Sequence, residues 1–201
     1  MTRQQPADAR RRAILDAASS LLLDKGLAGT SVDAVAKSAG IAKGTVYLYF
    51  ASRSDLLAAL RARYSDGLAS QARSILDSAQ PDDAGSVSAA FQRLTAALLD
   101  YVLANQRLYH VLFQEAGVPE QDTMQPLREL IRDTLQRAMD AGALEPVDPE
   151  VLMRFLLDGL HGVLRPLVHA GGRDRERVLA SIGEVVSRVL TPAGESPGPR
   201  R

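Results

Sequence analysis

The 201-residue chain is predicted to be all-α on three observations. Leu and Ala outnumber the β-branched Val and Ile, and aromatic residues make up only 4% of the chain, so the residue types that favour strands are scarce. Apolar residues recur at three- and four-residue spacing over long stretches. Gly, Pro and hydroxyl residues fall between those stretches, where helices start and stop, and no sheet is expected. At 46% hydrophobic residues the chain has the material for a packed core, which argues against disorder along its whole length.

The first helix is marked by the stripe Ile14, Ala17, Ala18, Leu21 and Leu22, with Arg10 to Arg12, Asp16 and Asp24 off it, and Gly26 stops it. Thr30 and Ser31 offer N-cap oxygens to a second, short helix whose apolar face is Val32, Val35, Ala36 and Ala39. Gly40 then fits the C-terminal position that needs positive φ, and a third helix starts near Ala42. Residues 51–55 supply another cap, and Leu56, Leu57, Leu60, Tyr64, Leu68 and Ile75 carry one long helix to about Ala79. The cluster Pro81-Asp82-Asp83-Ala84-Gly85 is a loop. Helices are expected over 86–104, 105–116, 124–141, 149–170 and 173–190. Residues 1–9 are expected to form a flexible arm and the Pro- and Gly-rich 191–201 a disordered tail.

Composition narrows the function classes. There is no Cys, so neither a disulfide framework nor a thiolate metal site is available. Residues 1–9 are polar and no apolar run of about 18 residues occurs, so no membrane association is expected and a cytoplasmic location is the default. The zero net charge hides an asymmetry: before Tyr64 lie ten Lys or Arg against five Asp or Glu, and after it fourteen against nineteen. A basic module at one end is an electrostatic footprint for a polyanion, although solvated charge runs are common.

Three short helices with only Gly40-Ile41 between the second and third match the spacing of a helix-turn-helix, whose later helix enters the major groove. In the third, Val46 and Phe50 stand four apart and face the module's core, while Lys43, Tyr47 and Leu48 face outward. Gly44 permits close backbone approach to a phosphate or base edge, and the free N–H groups of a helix start favour an anion. By chemistry, Thr45, Tyr47, Tyr49 and Arg53 suit phosphates, Lys43 suits a guanine edge or a phosphate, and Thr45 or Leu48 suits a thymine methyl. Aromatic residues belong by default in a core, yet three of the nine in the chain fall within four positions here, and adjacent helical residues cannot all point one way.

The run Gly29-Thr30-Ser31-Val32-Asp33-Ala34-Val35-Ala36-Lys37-Ser38-Ala39-Gly40-Ile41-Ala42-Lys43-Gly44-Thr45-Val46-Tyr47-Leu48-Tyr49-Phe50, continued by Ser52-Arg53-Ser54-Asp55-Leu56-Leu57, resembles the DNA-binding signature of the TetR (tetracycline-repressor-like) family. The resemblance spans about residues 10–57. It implies base or phosphate contacts by Lys43, Gly44, Thr45 and Tyr47, phosphate contacts by Tyr49 and a phosphate anchor at Arg53, and Ser31 and Leu48 complete the expected DNA-binding residues. Arg53 stands where the family more often has Lys and keeps the charge, whereas Ala42 stands where a hydroxyl is frequent and removes a possible phosphate hydrogen bond.

The resemblance further implies an N-terminal helix-turn-helix module, residues 10–57, joined by a long helix to a helical ligand-binding and dimerisation domain, residues 58–190. The expected partners are double-stranded operator DNA, a second copy of the chain and an unidentified small-molecule effector. In such proteins the last two long helices pair with their twofold mates, which places Leu152, Phe155, Leu156, Gly159, Leu160, Val163, Ile182 and Val186 at a dimer interface. An effector pocket would draw on Tyr101, Tyr109, His110, Phe113, Gln114, Met124 and His161, whose apolar walls and polar tips suit a hydrophobic or aromatic molecule.

One rival reading is an enzyme or metalloprotein on the C-terminal helices. Asp158 and His161 have the i, i+3 spacing of a bundle metal site, but a dinuclear site needs two such pairs, and no His-Glu-x-x-His, Gly-x-Ser-x-Gly or phosphate-loop pattern occurs. No catalysis, metal or cofactor is therefore expected. A second rival is an architectural DNA-binding protein that answers to no ligand.

Overall fold

The computed structural model of the chain describes residues 7–115 and 124–190, except the side chains of Gln114, Glu115 and His169. The expected tail 191–201 and residues 1–6 of the expected arm lie outside that description. Among the described residues every regular element is a helix and none is a strand. The helices are α1 (Ala7–Gly29), α2 (Val32–Ser38), α3 (Lys43–Tyr47), α4 (Arg53–Leu76), α5 (Ala84–Ala104), α6 (Gln106–Tyr109), α7 (Gln125–Asp140), α8 (Pro149–His169) and α9 (Arg175–Val189), with a π-helical segment His110–Glu115 after α6. No helix among the described residues is long and apolar enough to cross a membrane.

Helix α1 begins at Ala7, inside the stretch expected to be an arm. It leaves helical geometry at Gly26 (φ 65°, ψ −171°), the glycine that the sequence marks as its stop, and a final turn carries it to Gly29. The expected helix over 105–116 is split: α6 is a single α-helical turn, and the winding then widens to π from His110.

The chain divides into two compact units. The first comprises, among the described residues, 7–65 and 105–115, so the segment after α5 packs with the N-terminal helices. Its core collects Ile14, Leu15, Ala18 and Leu22 of α1, Val35 of α2, Val46 of α3, and Leu56 and Leu60 of α4, all at most 2% exposed. Fully burying side chains of this size contributes about 1.5–3 kcal/mol each. The rings of Tyr64, Tyr109 and Phe113 extend that core, with centroids 5.4–6.1 Å apart. Arg63 on α4 ties to α1 through Asp16 at 2.6 Å, Ser19 Oγ at 2.5 Å and the Leu15 carbonyl at 3.3 Å.

The second unit comprises 66–104 and 124–190, with α4 supplying its second half. Leu99, Leu167 and Val168 form one buried cluster, flanked by Val102, Leu103, Leu164, Val178 and Leu179. Polar ties join helices of this unit: Gln92 donates to Ser187 Oγ at 2.8 Å, Arg175 makes a two-point pair with Asp100 at 2.9 and 2.8 Å, and Arg128 pairs with Asp158 at 3.0 Å.

Candidate nucleic-acid interface

Local backbone chemistry sets the position of α3. Ser31 starts α2 by accepting from the Ala34 N–H at 3.1 Å, a bond that leaves the serine's own O–H to donate elsewhere. Thr30, the other expected cap, turns back instead, is fully buried and donates to the Gly26 carbonyl at 2.9 Å. At the end of α2, Gly40 takes φ 66° and its N–H donates to Lys37 at 3.3 Å, while the Ile41 N–H donates to Ala36 at 3.0 Å. Both bonds belong to a Schellman motif, which explains the glycine, since any Cβ is disfavoured in that region of φ. Ala42 opens α3 with no side-chain cap.

Val46 and Phe50 are 0% and 3% exposed, and Arg11 lies 5.3 Å over the Phe50 ring. With that face buried, the opposite one is outward: Leu48 is 83% and Tyr47 46% exposed, Lys43 and Gly44 are exposed, and Thr45 and Tyr49 are half-buried. Gly44 does not have positive φ, and a Cβ built on it meets nothing within 4 Å. Neither backbone geometry nor internal packing therefore calls for glycine at this position. Lys43 Nζ donates to Asp33 Oδ2 on α2 at 2.9 Å, and this hydrogen bond, with the carboxylate's charge, holds the ammonium above its usual pKa.

Arg53 has partners within the chain. Its Nε donates to the Thr30 carbonyl at 2.7 Å and its Nη2 to the Leu27 carbonyl, so the guanidinium closes the turn between α1 and α2. The residue is nevertheless exposed. Sequence reasoning missed both Asp33 and this clamp, because each joins residues distant in sequence whose proximity no local pattern encodes.

Residues 14–60 match the family described as "Bacterial regulatory proteins, tetR family". The chain is 26% identical over 155 residues to the HTH-type transcriptional repressor KstR2 of Mycobacterium tuberculosis (strain ATCC 25618 / H37Rv), covering 75% of this chain and 78% of that protein. It is 30% identical over 118 residues to the HTH-type transcriptional activator FasR of Mycolicibacterium smegmatis, covering 57% of this chain and 50% of that one. Among solved structures, a putative TetR-family transcriptional regulator from Mesorhizobium loti superposes with a TM-score of 0.73 at 17% identity, covering 93% of this chain and 98% of that one. Residues 14–60 belong to the tetR family of bacterial regulatory proteins.

The expected interface residues separate into two groups. Phe155 and Val163 are 63% and 51% exposed, Gly159 is open to solvent with nothing within 4 Å of a built Cβ, and Leu152, Leu156 and Leu160 are half-buried. Ile182 and Val186, in contrast, are 9% and 6% exposed within the single chain. These two are buried without a partner chain, and the exposed apolar side chains of α9 are Val185 and Val189. The sequence signal was present, since Val185, Val186 and Val189 alternate around one helix, but it does not say which side is inside.

The residues expected at an effector pocket fall in both units. Tyr109 and Phe113 are buried against Tyr64 in the first, with His110 exposed beside them. Tyr101, Met124 and His161 belong to the second, where Tyr101 and Met124 are half-buried and His161 is exposed. The side chain of Gln114 lies outside the described residues. Asp158, half of the candidate metal pair, is engaged by Arg128, and no group of three or more His, Cys, Asp or Glu among the described residues is placed to hold a metal ion.

Proposed function

We propose that this regulator is a homodimeric repressor that binds an imperfect palindrome in double-stranded DNA and is released by a small hydrophobic or aromatic effector. The outward face of α3 carries this reading: Lys43, Gly44, Tyr47 and Leu48 are exposed over a buried Val46 and Phe50, with no internal reason for the glycine. A helix of this length reads few base pairs, so useful specificity needs two of them related by twofold symmetry. Val151, Phe155 and Val163 on α8 and Val185 and Val189 on α9 leave apolar surface exposed on one chain, which supports a second copy as the partner. Ser31, Thr45 and Tyr49 are read as phosphate contacts flanking the base-reading residues.

Helix α4 contributes to both units, which supports it as the element through which an effector acts on the DNA-binding unit. An effector that prefers the conformation less suited to the operator lowers DNA affinity by its differential binding, and a coupling of about 1–3 kcal/mol gives roughly 5- to 150-fold release. Repression is favoured over activation because the chain covers 78% of the repressor KstR2 and only 50% of the activator FasR. The test begins with selection of bound duplexes from a random pool by the full-length protein. A twofold-symmetric consensus is expected; a chain that recovers no consensus overturns the reading. The recovered site then locates candidate target genes, whose transcription with and without the protein distinguishes repression from activation.

A further inference from the structure

The acceptor that Lys43 holds is itself informative. Asp33 is 68% and Lys43 52% exposed in their side chains, and an exposed pair of this kind adds little to stability. On a surface meant for a polyanion, a carboxylate repels phosphate and opposes the excess of positive charge in this part of the chain. Lys43 is also the first residue of α3, where the helix dipole disfavours a cation, so the ammonium gains most from a partner there. A free lysine on that surface is a flexible point charge that any phosphate attracts. Held at 2.9 Å by Asp33, it presents a nearly neutral pair with a fixed direction to whatever approaches.

We propose that Asp33 is a positioning and specificity-determining residue: across the turn between α2 and α3 it holds the Lys43 ammonium in register for a base edge and weakens its pull on phosphates of unrelated DNA. The proposal rests on the DNA-binding reading above. Two consequences follow together. Removing the carboxylate's charge strengthens binding to arbitrary DNA, and it loosens Lys43, so discrimination between the proper site and arbitrary DNA falls. Asp33 also lies in the first turn of α2, where a negative charge favours the helix on its own account. A role confined to that would not depend on Lys43.

The experiment is a double-mutant cycle on the full chain with Asp33→Asn, Lys43→Ala and the pair. Fluorescence anisotropy follows binding to the duplex selected by the wild-type protein and to a scrambled duplex of the same composition, across a salt series. In the wild-type background Asp33→Asn is expected to lower the selected-to-scrambled preference roughly three- to tenfold, a fraction of a full base contact. It is also expected to steepen the salt slope on the scrambled duplex by up to about 0.9, one phosphate's worth. In the Lys43→Ala background the same change leaves the preference unaltered. An unchanged preference in the wild-type background overturns the proposal. So does an equal loss in both backgrounds, which would mean that Asp33 acts through its own contact or through helix stability. Failure of the wild-type protein to select any site is a separate outcome that removes the DNA-binding reading and this proposal with it.

Discussion

The Nε of Arg53 donates to the Thr30 carbonyl at 2.7 Å, tying the start of α4 to the turn that precedes α2. The guanidinium reaches the Leu27 carbonyl as well, which also accepts from the Thr30 N–H at 3.1 Å, so one cation spans two backbone acceptors of that turn. A lysine cannot make this fork, because its ammonium is a single point on a flexible stem. Arg53→Lys is therefore expected to keep the salt dependence of DNA binding while losing stability, by about 1–3 kcal/mol in the range for hydrogen bonds to charged groups and toward the lower end at an exposed site. Thermal melting and a salt series on one preparation separate the two effects. A variant as stable as the wild type would return Arg53 to a plain phosphate anchor.

Gly44 yields the opposite pattern. Because a Cβ there meets nothing inside the protein, Gly44→Ala should leave stability unchanged or raise it by up to about 1 kcal/mol, the helix-propensity difference. DNA binding should fall at least tenfold, since the added methyl stands where the duplex approaches. A urea titration and an anisotropy titration make the comparison. Full DNA affinity in the alanine variant would show that α3 is not approached at this point.

The second unit offers a test of what is core and what is surface. Val186→Glu places a charge at a position 6% exposed within one chain, and an unpaired buried charge is costly by several kcal/mol in order of magnitude, so loss of the folded state is expected. Phe155→Glu changes a side chain that is 63% exposed, so the chain should stay folded and lose its partner. Circular dichroism reports the first outcome and sedimentation the second. A Phe155→Glu protein that sediments as an intact dimer moves the interface elsewhere.

Gly67 and Tyr101 give a sign reversal. A Cβ at Gly67 would lie 2.3 Å from the Tyr101 hydroxyl and 3.0 Å from its ring carbon, so α4 and α5 meet here only because the side chain is missing. Gly67→Ala is expected to destabilise the wild-type chain by about 1–3 kcal/mol, as overpacking does. With Tyr101→Ala already present, the same change should stabilise by up to about 1 kcal/mol, because only helix propensity is left. Denaturation midpoints of the four proteins settle the matter. Destabilisation in both backgrounds would mean that the ring does not fill this space.

What the sequence determined by itself is whatever short-range chemistry decides. The stop at Gly26, the Ser31 cap, the left-handed Gly40 and the split of α3 and the turn after it into a buried Val46–Phe50 face and an exposed Tyr47–Leu48 face all depend on residues within about five positions of one another. The match over residues 14–60 lies in that same stretch. Only the tertiary structure decided the rest. It sends Arg53 to Thr30, pairs Lys43 with Asp33, packs the segment after α5 with the N-terminal helices, and puts Ile182 and Val186 inside while leaving Val185 and Val189 outside. The reason is physical: a helix apolar on more than one side is equally content with either side buried, and the choice is made by whichever distant surface packs against it.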